Sequence, residues 1–214
     1  MNRMYSKKIE ALRSTLETLK QEKSRAQQDG RSSLIRFADI GIFIVLHDLD
    51  RFIFLNQLLN EQDEFIQHVH AKHLAGTLHA LFEKIGHLLG KEARDLIENL
   101  PDSQKHLAAM ESLRTRISTH SKKHEKTFRF IRNKTTAHRD PNVDLQLEAI
   151  ASINPSEIRN VAADMETWSG DLYSFIALAL NSYTYSYQMV REVFSKDSPR
   201  LASSDGEQGG QGKP

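Results

Sequence analysis

The sequence predicts an all-α protein, a helical bundle of four to six helices followed by a disordered C-terminal tail. Three observations carry this. Apolar residues recur at three- and four-residue spacing along most of the chain, the period of an amphipathic helix. Of 214 residues only 5 are proline and 10 glycine, and the last twenty positions hold a disproportionate share of both, so the body of the chain is nearly free of helix breakers. The hydrophobic fraction, 39%, is enough for a core without covalent staples. The spacing divides the chain into an amphipathic helix over residues 1–29, a helical domain over 30–194 and a tail over 195–214.

In the first helix Tyr5, Ile9, Leu12, Leu16 and Leu19 form a narrow apolar seam, suited to packing on the same domain or on a second protomer, and Gly30 ends it. Residues 34–60 are apolar nearly all round, from Phe37 through Ile44 and Phe52 to Leu59, which marks a central helix. Residues 63–90 form another amphipathic helix closed by Gly90, and 91–100 a shorter one stopped by Pro101. Residues 102–132 read as one helix with Met110, Leu113, Ile117, His124 and Phe128 on its apolar face; Asp140-Pro141 halts helix beyond it. Asn154-Pro155-Ser156-Glu157 is a helix start, with a capping residue, proline first and glutamate third. The helix it opens runs to about Phe194, with Gly170 as the place for a kink or a close crossing. Residues 195–214, rich in Ser, Gly, Asp and Pro, read as disordered.

Composition excludes several functions. With no cysteine there are no disulfides, thiolate zinc sites, iron–sulfur clusters or cysteine nucleophiles. The longest apolar run, Ile40 to Leu46, is far short of the roughly 20 residues of a membrane helix. The N-terminus carries no apolar targeting segment, so the expectation is a cytoplasmic protein with no membrane partner.

The formal net charge of +1 hides a marked asymmetry: residues 104–139 carry a net +8, while residues 37–103 carry −6. Such a basic window attracts polyanions such as phosphate backbones, unless it is consumed by pairing with the acidic segments. At its end stands Arg129-Phe130-Ile131-Arg132-Asn133-Lys134-Thr135-Thr136-Ala137-His138-Arg139-Asp140-Pro141. On an unbroken helix Arg132 and His138, six apart, point about 120° away from each other. A helix ending near Thr135 lets the following loop fold His138 back beside Arg132.

This stretch resembles the signature of the HEPN family (higher eukaryotes and prokaryotes nucleotide-binding): an arginine, a polar residue, a short spacer and a histidine. Here Arg132, five intervening residues starting at Asn133, and His138 match it, and the wider RNKTTAHRD string is similar to the abortive-infection branch. The resemblance implies a dimerising helical bundle and metal-independent endoribonuclease chemistry, with no cofactor and RNA as partner. The chemistry is self-consistent, because RNA carries its own 2′-hydroxyl nucleophile. Histidine can move the proton and arginine can stabilise charge on the phosphoryl oxygens. His138 is thereby assigned to proton transfer, Arg132 to phosphate stabilisation and Asn133 to orientation. Lys122, Lys123, Lys126, Arg129, Lys134 and Arg139 are the expected RNA-backbone contacts. The resemblance also implies a toxin or phage-defence role and a separate-chain antitoxin of the nucleotidyltransferase type. The alternative is a non-catalytic helical module that binds a protein partner.

Other constellations are weaker. His120 and His124, four apart, have chelating spacing, but among lysines they are expected to touch RNA or a dimer partner. His68, His70 and His73 read as a solvated surface. Asp48 and Asp50 diverge on a helix; Asp48 or His47, set among apolar residues, is a candidate to reach the basic motif.

Overall fold

The computed structural model describes residues 3–100, 102–131 and 143–196. Every regular element among them is a helix: α1 (Arg3–Gln28), α2 (Ser32–Asn60), α3 (Glu64–Leu88), α4 (Lys91–Glu98), α5 (Ser103–Lys123), α6 (Glu125–Ile131), α7 (Val143–Ala151), α8 (Pro155–Asp164) and α9 (Glu166–Lys196). The all-α class is therefore as expected. There are more segments than four to six, because two of the expected helices are each interrupted by one residue, His124 and Met165, and a further segment, α7, was not expected.

Helix α2 occupies the centre, as its apolar circumference requires. It lies between α1 and α3 and also meets α8 and α9. Phe37 on α2, Leu74, Leu78 and Ile85 on α3, Met110 on α5, Val161 on α8 and Leu172 on α9 are all fully buried in one cluster. Each such side chain stabilises the fold by about 1.5–3 kcal/mol relative to exposure. The α1 seam turns onto the opposite side of α2, where Leu12 and Leu19 bury against Val45, Leu49 and Phe52. The intramolecular use of that seam is the one observed, and α2 keeps Leu46 and Leu59 as exposed large apolar residues.

Local signals account for most boundaries. After α1 the Gly30 amide bonds Gln27 O and the Arg31 amide bonds Ala26 O, with Gly30 at φ +67°. This left-handed turn satisfies the last carbonyls and suits glycine. Asp63 caps α3 by accepting from the Ile66 amide at 3.0 Å. Asn154 caps α8 by accepting from the amides of Ser156 and Glu157.

Three boundaries differ from expectation. Gly90 does not close α3; Leu89 is the C-cap, and Gly90 instead precedes α4. The last long helix breaks at Met165 rather than Gly170, where an added Cβ would meet nothing within 4 Å. The segment VDLQLEAIA, not anticipated as an element, forms α7. No described helix is long and apolar enough to cross a membrane. The expected tail, 195–214, falls almost entirely outside the described residues, with α9 reaching Lys196.

Candidate nucleic-acid interface

The basic window begins on α5 and α6. These two helices form a nearly continuous rod whose inner face keeps the four- and three-residue rhythm: Met110, Leu113, Ile117, His120 and Phe128 are all buried. At the junction the His124 amide is shared by the carbonyls of His120 and Ser121, both at 3.3 Å, a local tightening toward a 3₁₀ turn. The apolar stripe stays in phase across the break, so cations at the intervening positions project outward.

Ion pairs take up part of that charge. Arg116 bonds the Asp171 carboxylate and the Thr167 carbonyl. Arg114 pairs with Glu111 at 3.1 Å, and Glu111 also binds Arg94 of α4. Lys123, expected to hold RNA, donates to Asp164 Oδ2 at 2.7 Å. That hydrogen bond holds the Asp164 carboxyl below the usual carboxylate range. Asp164 is the last residue of α8, where a carboxylate faces the negative end of the helix dipole, and Lys123 offsets this. Lys122 and Lys126 remain exposed, with no carboxylate partner among the described residues. The basic window is thus partly consumed inside the fold and partly left facing solvent.

The two histidines of this rod are not on its lysine face. His120 is 8% exposed and stacks on Phe82 of α3, with ring centroids 5.1 Å apart. Its Nδ1 accepts from the indole N–H of Trp168 at 3.4 Å. A ring nitrogen that accepts must be unprotonated, which puts the proton of the neutral ring on Nε2. Burial, then the neighbouring His124, pushes the His120 pKa down to about 4. His124 lies 5.0 Å from His120 between centroids and edge-on to Phe128. Its Nε2 is 3.6 Å from Asp164 Oδ2, too far for a direct hydrogen bond. The expectation that these histidines touch RNA or a partner is therefore overturned for His120. Their positions, three and seven residues after Ile117, place them on the apolar stripe.

Asp48 also differs from expectation. Its two carboxylate oxygens accept from Arg51 Nε at 2.8 Å and from the Tyr173 hydroxyl at 2.7 Å, so it serves this buried group rather than the basic motif. Arg51, 1% exposed, further donates to the Ala162 carbonyl at the end of α8. Sequence reasoning passed over Arg51 and Tyr173. The available signal was an acid and an arginine three apart on an otherwise apolar helix, where each charge needs a partner. Of the histidines at 68, 70 and 73, His73 is exposed and stacks on Phe54, in keeping with a surface role.

Of the nominated RNA contacts, Lys122, Lys123 and Lys126 have described side chains. The side chain of Arg129 and the residues Arg132, Asn133, Lys134, His138 and Arg139 lie outside the described residues. Helix α6 is described through Ile131, the residue immediately before Arg132. Among the described residues no three His, Asp or Glu converge in a way that could hold a metal ion. No family model, curated protein or solved structure matches this chain.

Proposed function

We propose that this chain is a HEPN-like RNA-binding protein acting as a metal-independent endoribonuclease, with Arg132 and His138 as its reacting pair. The observation that supports this most is positional. The Arg-Asn-x(4)-His string follows directly on a basic helical rod within an all-α bundle, and that rod leaves Lys122 and Lys126 facing solvent without acidic partners among the described residues. In this reading a single-stranded substrate tracks along the rod by its phosphates. His138 takes the 2′-hydroxyl proton or gives one to the leaving 5′-oxygen, and Arg132 stabilises the phosphorane-like charge. Asn133 orients one of them. Lys134, Arg139 and Arg129 extend the phosphate contacts. The biological setting that fits is a cytoplasmic toxin or phage-defence component, working as a homodimer and restrained by a separate antitoxin chain.

The test is RNA cleavage by the purified chain in EDTA, with products carrying 2′,3′-cyclic phosphate ends. Arg132→Ala and His138→Ala should each abolish cleavage while circular dichroism still reports a helical fold. Undiminished activity in either variant overturns the assignment, and a monomer in sedimentation at micromolar concentration removes the dimer from it.

One observation favours a second reading, a helical module that binds a protein without chemistry. Arg114, Arg116 and Lys123 are already paired with acids of the same chain, which reduces the charge available to a polyanion. That reading expects expression of the wild type to be harmless to cells and His138→Ala to alter stability or partner capture instead.

A further inference from the structure

Between α3 and α5 lies an open cavity of about 740 Å³, within the range of small-molecule sites and larger than a single nucleotide needs. Its floor is apolar, formed by Phe82, Ile85 and Leu89 of α3 with Ile117 of α5. Its α5 wall is hydroxyl-rich. Thr115 and Thr119 donate their hydroxyls back to carbonyls of their own helix, so each oxygen faces the cavity as an acceptor only. Ser118 and Ser121 have no partner among the described residues and keep a free donor. Lys122 and Glu125 both line the space where α5 passes into α6, while Glu111 at the other end is neutralised between Arg94 and Arg114. An apolar floor, a wall of hydroxyls and an unpaired ammonium at the edge match the three parts of a nucleotide: base, sugar and phosphate.

Gly86 adds a separate observation. It sits in the last turn of α3 on the cavity wall, and a Cβ built there would meet nothing within 4 Å. Gly76 and Gly170 have equally open Cβ space, so what sets Gly86 apart is its place on the cavity wall, where it leaves the helix backbone open to a flat ligand. Phe82 links this cavity to the rod, since it borders the space on one side and stacks on His120 on the other.

We propose that the α3–α5 groove holds one nucleoside of a single-stranded RNA, its base on Phe82 and Ile85 across Gly86 and its phosphate toward Lys122. The proposal rests on the RNA-binding reading above and adds to it a base-accepting subsite, apart from the reacting pair. Lys122 precedes Arg132 by ten residues, so a strand seated here extends toward the motif along the rod. Aromatic stacking supplies affinity with little sequence preference, because every base has a π-face.

Binding, rather than cleavage, tests it. A fluorescein-labelled 12-nucleotide RNA of mixed sequence is titrated in EDTA against the full-length wild type and two variants, Gly86→Leu and Gly170→Leu. Gly170 is exposed on α9, has equally open Cβ space and lines neither this groove nor the cavity among α1, α2 and α9, so it controls for helix propensity. Gly86→Leu should weaken binding at least ~10-fold, as expected for loss of one stacked base, with no fall in Tm. Gly170→Leu should bind like the wild type. Lys122→Ala should flatten the dependence of log Kd on log salt by about 0.7, the value of one phosphate contact on a single strand. Equal affinities for Gly86→Leu and wild type overturn the groove and leave RNA binding intact. If the wild type binds no RNA, the parent reading fails as well.

Discussion

The indole N–H of Trp168 donates to His120 Nδ1 at 3.4 Å, joining the start of α9 to α5 inside the core. That bond exists only while the imidazole is neutral, and burial keeps it neutral down to about pH 4.

A pH dependence of stability follows. The unfolded chain protonates His120 near its ordinary value of 6.5, whereas the folded chain resists until about 4. His120 therefore adds its full stabilisation above pH 6.5 and loses it progressively as pH falls toward 4, by up to about 3 kcal/mol. Urea unfolding followed by the fluorescence of Trp168, the sole tryptophan, measures this directly. His120→Phe should flatten the slope between pH 6.5 and 4; an unchanged slope in that variant places its origin elsewhere.

Arg51 presents a different kind of dependence. It is buried with Asp48 and Tyr173, and its Nη2 has no hydrogen-bond partner among the described residues. Removing only one charge strands the other in the core, so Arg51→Met should destabilise the fold by roughly 3–5 kcal/mol. Adding Asp48→Leu to that variant should recover much of the loss. Chemical denaturation of the single and double variants decides the point, and a double variant no better than the single would show that the pair is not an isolated unit.

Gly41 is fixed by close packing. A Cβ there would stand 3.1 Å from Leu19 Cδ1 and 3.3 Å from Ile176 Cγ2, where α1 and α9 both press on α2. Gly41→Ala should therefore lower stability by about 1–2 kcal/mol, the cost of overpacking exceeding the gain in helix propensity. Gly86→Ala, with open space around it, should raise Tm by a few degrees. Thermal unfolding of the two variants side by side should move in opposite directions.

How much of this was legible beforehand depends on which physics decides each position. The central place of α2 could be read from its composition, because a helix without a polar face has to be covered on every side. The Asn154 cap could be read as well, since the local signal and the hydrogen bonds that satisfy it lie within four residues. The fate of each cation could not. Whether Lys123 meets RNA or Asp164 depends on a residue 41 positions away, and only the fold brings them together. His120 was misread by composition, its lysine neighbours suggesting surface while its helical phase turns it inward. The buried group around Arg51 needed Tyr173, 125 positions from Asp48, to become visible. Arg132 and His138 themselves, outside the described residues, remain a pattern with a chemical rationale.

The interruptions at His124 and Met165 lie beside each other, because the residues just before them, Lys123 and Asp164, are joined at 2.7 Å. A rod is softest where its hydrogen-bond ladder skips, so this carboxylate works as a pin through two aligned joints. Helices α6, α7 and α8 all lie between the two joints in chain order. Withdrawing the pin would free both joints together, and α6, α7 and α8 would lose a common fastening.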